Sequence, residues 1–404
     1  MNMTNKLTAV AGVTCLLVAR LVAQAPPAMA VGNPANDTAR FLAGLPPTSD
    51  PAIIELAQQS SWQQHARFFD TAWAALEKNQ LSKVRTWAQT QIPDACVAKG
   101  TVYYMFSGPD FLYAETFFPQ ATTYVMCGIE PIGPLPDLAM IDQRVLGGEL
   151  RSLQASLNSV LSFSFFITKQ MKGDLQHHAL SGTLPLLYIF LARSGNTIHD
   201  VSYVSLNEEG MLTAQPDGKN SGKSLAPGVR IQFLAAGSNI PRTLYYFSTD
   251  ISDSGVKHSG FLQFCQTLAP GNACVKSASY LMHEKYFATV RGFLLDNTRT
   301  LVQDDSGIPC GYFTPEAWQL RFFGSYPGPI QLFKNYYQPK LADYYRTTNP
   351  QPLDFGIGYR HHARESTLMV AEHKPRPATA PVPPPSTPPR ALPVPDDAAS
   401  WPPP

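Results

Sequence analysis

The chain has 404 residues, a formal charge of +1 and 15% charged side chains, against a typical ~25%. Nucleic-acid binders concentrate basic side chains on one surface, because neutralising phosphates supplies much of their affinity. This near-neutral composition offers no such surface and excludes nucleic acid as an expected partner, while 44% hydrophobic and 11% aromatic residues give ample material for a core.

Residues 1–30 follow the three-part logic of a secretory signal peptide. Lys6 supplies the positive start, Leu7 to Ala19 an apolar or small-residue run, and Ala28-Met29-Ala30 the small residues a signal peptidase reads. The run is shorter than the ~20 residues that span a bilayer, and Arg20 follows it directly. An uncleaved anchor or a buried first helix fits less well. A lipid-modified Cys15 is poorly served by Gly12-Val13-Thr14 before it. The expected destination is therefore secreted or periplasmic. Losing Lys6 and Arg20 from 31 basic residues leaves 29 against 30 acidic ones, a charge of −1. No transmembrane segment is expected after cleavage, since the richest later stretch, Leu184 to Ala192, contains Pro185 and stops at Arg193.

Asp50 and Pro51 begin a helical pattern that runs to Ile92, with Asp50 as N-cap and Pro51 at the first helical position. Trp62, Ala66, Phe69, Trp73 and Leu76 share one face, and Leu81, Val84 and Ala88 resume it after a polar break at Asn79-Gln80. From Thr101 the texture changes to short β-prone runs: Val102 to Phe106, Thr122 to Cys127, Val201 to Leu206, Val229 to Leu234, Thr243 to Phe247, Gln319 to Phe323 and Phe355 to Tyr359. Helical spacing returns at Leu146 to Val160, Ala278 to Leu295 and Ile330 to Tyr345. Several strands follow one another without an intervening helix. That predicts an α+β fold with a mixed or mainly antiparallel sheet, packed helices and a helical N-terminal section at 36–95, rather than a doubly wound parallel sheet. Residues 31–373 read as one globular domain, with Pro216 to Ser224 as a hairpin loop. The proline-rich segment 374–404 reads as a disordered tail, a spacer or a recognition peptide.

Five cysteines remain after the signal: Cys96, Cys127, Cys265, Cys274 and Cys310. In an oxidising compartment Cys265 and Cys274 are the best disulfide pair, because Pro270-Gly271-Asn272 can turn the chain between them. The alternative is that all five are buried thiols. No C-x-x-C occurs, so neither a redox motif nor a zinc knuckle is indicated.

Most familiar motifs fail on spacing. Gly218-Lys219-Asn220-Ser221-Gly222-Lys223-Ser224 imitates a phosphate loop but has Asp217 five residues before Gly222, where glycine belongs. His283-Glu284 begins like a metalloprotease helix, but Phe287 stands in place of the second histidine. No G-x-S-x-G elbow exists. His177-His178 and His199-Asp200 are isolated pairs. No metal or cofactor is assigned.

Three clusters at predicted strand ends carry more. Ser107, Asp110, Tyr113 and Glu115 follow the first aromatic run; Asp250, Asp253 and His258 follow Thr243 to Phe247; and Tyr359, Arg360 and His361 form the third. If these loops converge, Asp110, Asp250 or Asp253 supplies a carboxylate base, His258 or His361 an imidazole and Arg360 an anion stabiliser, while Ser107, Tyr113, Glu115 and Tyr359 bind. The alternative is that such residues cap turns.

Ser107-Gly108-Pro109-Asp110-Phe111-Leu112-Tyr113-Ala114, with Phe117-Phe118-Pro119, Cys127-Gly128-Ile129-Glu130-Pro131 and Asp354 to Arg360, resembles a family of uncharacterised secreted bacterial proteins. The resemblance spans most of residues 95–373 and implies no activity or site. The expected function is an extracytoplasmic binding or envelope-associated protein, with an unknown ligand or envelope component as partner. The alternative is a secreted hydrolase.

Overall fold

Strand register sorts the apolar side chains into two cores. In a strand, neighbouring side chains point to opposite faces. Val102 and Tyr104 of β1 (Thr101–Tyr104) accordingly enter one core, while Tyr103 and the following Met105 enter the other. β2 (Thr123–Gly128) divides in the same way, with Tyr124 and Met126 opposite Val125 and Cys127. The computed structural model describes residues 34–163, 179–215 and 226–374. The expected signal peptide, His177-His178, the phosphate-loop mimic with its expected hairpin loop, and the expected tail from 375 lie outside the described residues.

Before the sheet comes a helical section: α1 (Pro34–Leu42), α2 (Pro51–Leu56), α3 (Ser60–Leu76), α4 (Ser82–Gln91) and α5 (Pro93–Val97). Asp50 caps α2 as expected, accepting from the amides of Ala52 and Ile53. The polar break at Asn79-Gln80 is a π-helical turn, Glu77–Leu81. It widens the step between buried Leu76 and buried Leu81 to five residues, so that α4 continues on the inward face.

The remaining elements are α6 (Phe111–Phe117), α7 (Gln143–Phe163), α8 (Leu184–Arg193), β3 (Thr197–Leu206), β4 (Leu212–Ala214), β5 (Ala226–Leu234), β6 (Pro241–Ser248), α9 (Asp253–Ser259), α10 (Phe261–Thr267), β7 (Gly271–Val275), α11 (Ala288–Asn297), β8 (Thr298–Gln303), β9 (Trp318–Gly324), α12 (Pro339–Thr347) and β10 (Thr367–His373). The ten strands form one mixed sheet, ordered β4-β3-β5-β6-β2-β1-β7-β8-β10-β9. Its centre, β6-β2-β1-β7-β8, is parallel; both flanks are antiparallel. The fold is thus α+β with a mixed sheet and a helical N-terminal section. Helices α1 to α4, α6, α7 and α8 cover one face, and α9 to α12 the other. No helix among the described residues is long and apolar enough to cross a membrane.

Three expectations need correction. Cys265 and Cys274 are not bonded: Cys274 faces the core under α6, and Cys265 on α10 faces the opposite one, with the sheet between them. All five cysteines are buried thiols. Phe355 to Tyr359 is a loop, because Gly358 adopts φ +73°, which interrupts an extended run. Finally, the helices expected at 278–295 and 330–345 begin only at Ala288 and Pro339, after short 3₁₀ turns.

Candidate functional site

The centre of the sheet has a topological break. From β1 the chain crosses through α6 to β2 on one side; from β7 it crosses through α11 to β8 on the other. Helix α6 lies in one core and α11 in the opposite one. The crossovers therefore part between β1 and β7, and the crevice at the carboxyl ends of such strands is where open parallel sheets hold ligands.

Asp110 and Lys276 meet there. Lys276 directly follows β7, and Asp110 caps α6 just after β1. Their charged atoms are 2.7 Å apart, with each side chain 2% exposed. The Tyr104 hydroxyl donates to the same carboxylate oxygen, Oδ2, at 2.8 Å, and the Tyr113 amide donates to the other oxygen at 3.3 Å. Burial nevertheless holds the Asp110 carboxyl above its ordinary range, against the pull of Lys276. The Lys276 ammonium lies 4.3 Å from the centre of the Tyr113 ring, within cation–π range.

A second carboxylate comes from the end of β8. Asp304 accepts from the Ser277 amide at 2.8 Å and from the amide and hydroxyl of Ser306 at 2.9 and 2.5 Å. It too is pushed up by burial, with Lys276 acting in the opposite direction. Next to it Asp305 accepts from the Tyr280 hydroxyl at 2.5 Å; burial and the neighbouring Asp304 raise its carboxyl. The loop carrying Tyr359 closes over this pair. A Cβ on Gly358 would fall 2.1 Å from the Asp304 carboxylate, so glycine is required for the approach. Tyr359 donates to the Ser277 carbonyl at 2.8 Å and accepts from the Ser279 amide at 3.0 Å.

The backbone is strained at the same place. Among the described residues five non-glycine positions have left-handed φ, and four of them, Phe106, Ser277, Ser279 and Tyr280, sit in the loops after β1 and β7. Each such residue costs about 1–3 kcal/mol and persists only where its surroundings enforce it.

A cavity of about 380 Å³ adjoins the cluster, lined among others by Phe68, Leu76, Asn79, Gln80, Tyr113 and His361. Tyr113 is shared, since its ring lines the cavity and also packs against Lys276. Gln80, in the π-helical turn, donates to the Gly356 carbonyl, and Lys83 donates to the Asp354 carbonyl at 2.7 Å. These two bonds fasten the loop to the helical section.

Of the residues singled out from the sequence, Asp110, Tyr113, Tyr359 and His361 surround this site. Ser107 is buried beside it, bonding its hydroxyl to the Gly108 carbonyl. Arg360 donates to the carbonyls of Gly328 and Pro329 at 2.8 and 3.1 Å and pairs with Glu365 at 3.3 Å. The cluster after β6 does not join. That strand stands two positions from β1, roughly 10 Å away at sheet spacing. Asp250 there caps the turn at Ser252, Asp253 accepts from the Thr289 amide at 2.8 Å, and His258 is exposed. Glu115 lies toward the far end of α6, where Asn196 donates to it at 3.0 Å. Asp200 of the His199-Asp200 pair bonds Arg230 at 3.2 Å. Among the described residues no group of three or more His, Cys, Asp or Glu is placed to hold a metal ion.

Sequence reading missed Lys276, Asp304 and Asp305 because it missed β7 and β8. For β8 the available signal was a pair of aspartates ending the run Thr298 to Gln303; β7, with Val275 as its one β-branched residue, offered no such signal before Lys276. No family model, curated protein or solved structure matches this chain; the functional argument therefore rests on the site itself.

Proposed function

We propose that this chain is an exported binding protein that holds a small ligand in the cavity beside the β1/β7 break. The observation that carries this is the coincidence of strain and charge. Four left-handed non-glycine residues and the buried Asp110–Lys276–Asp304 set gather at the point where such sheets bind ligands. Folding alone does not call for that combination, since buried ion pairs are seldom more stabilising than apolar residues of the same shape. The cavity volume lies within the ~300–1,000 Å³ of small-molecule sites. Its lining mixes apolar side chains with three amides, an imidazole and a phenol, which suits an uncharged ligand with a few hydrogen-bonding groups. The π-helical turn adds support, because such turns recur at functional sites. Export follows from the signal-like first 30 residues and the secreted family that the sequence resembles.

A hydrolase remains the second reading, favoured by Asp305. A carboxyl raised by burial beside another can give and take a proton near neutrality.

The test is native mass spectrometry on undenatured protein, as purified and after incubation with a small-molecule extract of its cells. Wild type should carry an added small mass; Ala72 also lines the cavity, and Ala72→Trp, which fills it, should lose that mass without losing its melting transition. A wild type that carries nothing under either condition, or an A72W variant that keeps the mass, sinks the binding reading. Release of the molecule chemically altered would select the hydrolase.

A further inference from the structure

A second cleft, of about 620 Å³, opens toward the amino ends of the parallel strands. Its walls include Arg85 of α4, Arg193 at the end of α8, Arg242 at the start of β6, and Glu115. Arg193 is committed to the Ala43 carbonyl at 2.7 Å and Asp70 at 3.0 Å, and Arg85 pairs with Glu77.

Arg242 differs. It is 4% exposed and bonds the Pro119 carbonyl, yet among the described residues no carboxylate lies within ion-pair distance of it. Buried arginines are almost always paired. Glu115, a carboxyl of the same cleft that Arg242 pulls down, is nevertheless raised to about 7 by burial, so it neutralises Arg242 incompletely at neutral pH. Asn239, Ser194 and Gln120 add polar groups to the same walls.

We infer that this cleft binds a small molecule through an oxyanion group, carboxylate or phosphate, with Arg242 as the principal partner and Arg85 as the second. The guanidinium fork suits either group bidentately. The site is separate from the cavity proposed above and stands or falls without it.

Isothermal titration of the full chain with succinate and, separately, inorganic phosphate tests this, with chloride at matched ionic strength as the baseline. Saturable binding of at least one probe is expected, and the probe that binds identifies the anion class. Arg242→Gln should abolish it, Arg85→Gln should weaken it about tenfold, and Arg144→Gln on the distant surface should leave it unchanged. Should R242Q fail to fold, R85Q decides. No saturable binding of either probe overturns the inference, as does an R85Q affinity equal to wild type.

Discussion

At the carboxyl rim of the sheet Lys276 is 2% exposed, and Asp110 meets its charge at 2.7 Å. At the amino rim Arg242 is about as deeply buried and meets a backbone carbonyl. Around Lys276 the set is complete: two carboxylates, a phenol that donates and an aromatic face, held by a backbone bent into left-handed conformations. Around Arg242 the backbone is unstrained and the negative charge is short. A complete set of this kind satisfies its own charges while it shapes the wall of a cavity. An incomplete one is a place left for an anion from outside.

The largest expected effect separates the rims directly. Lys276→Met leaves Asp110 and Asp304 buried without their cation, and should lower stability by about 3–5 kcal/mol in urea denaturation. Adding Asp110→Leu should recover much of that loss, because removing both partners of a buried pair is far cheaper than removing one. Arg242→Met should stay within about 1 kcal/mol of wild type, since no carboxylate is abandoned. Equal losses in K276M and R242M would erase the distinction.

How much of this was legible in the sequence follows from the same rims. Asp110 announced itself through the turn Ser107 to Asp110 and the aromatic strand before it. Its cation did not. β7, Gly271–Val275, is buried along its whole length. A strand covered on both faces shows no alternation, and Pro270-Gly271-Asn272 read naturally as a turn. With β7 unread, Cys274 looked like a disulfide partner and Lys276 drew no attention. The loop at 355–359 failed for a different reason. Its alternating apolar residues imitate a strand, and only the contact of Gly358 with Asp304 shows why the chain bends there. The π-helical turn was visible as a polar break, but the cavity it lines is a tertiary feature.

A smaller effect sharpens the amino rim. Burial raises Glu115 from 4.5 to about 7, although Asn196, Ser194, Arg242 and Arg85 all pull it down. A carboxyl with a raised folded pKa binds more protons when folded. The stability it contributes is therefore complete below about pH 4.5 and lost as pH rises through 7. Glu115→Gln should flatten that fall and leave the variant about 1–2 kcal/mol more stable than wild type at pH 8, discounted for the partial exposure of the residue. Parallel stability curves for E115Q and wild type between pH 5 and 8 would show that Glu115 titrates normally, leaving Arg242 already neutralised and the anion inference without its charge.

The smallest effect returns to the carboxyl rim. Ser277 holds φ +50°, and its buried hydroxyl has no hydrogen-bond partner among the described residues. Its amide and carbonyl do the structural work, bonding Asp304 and Tyr359, and glycine retains both. Ser277→Gly removes the left-handed strain and an unsatisfied hydroxyl, offset by a more flexible unfolded chain, so the melting point should rise by an amount worth up to about 1 kcal/mol. Strain that persists without stabilising the fold is expected where it positions a site, so the gain should be accompanied by weaker retention of the small molecule in native mass spectrometry. A more stable S277G that retains the ligand as well as wild type would mean that the strained loop serves only to close the fold over Asp304, and the two rims would then differ in charge alone.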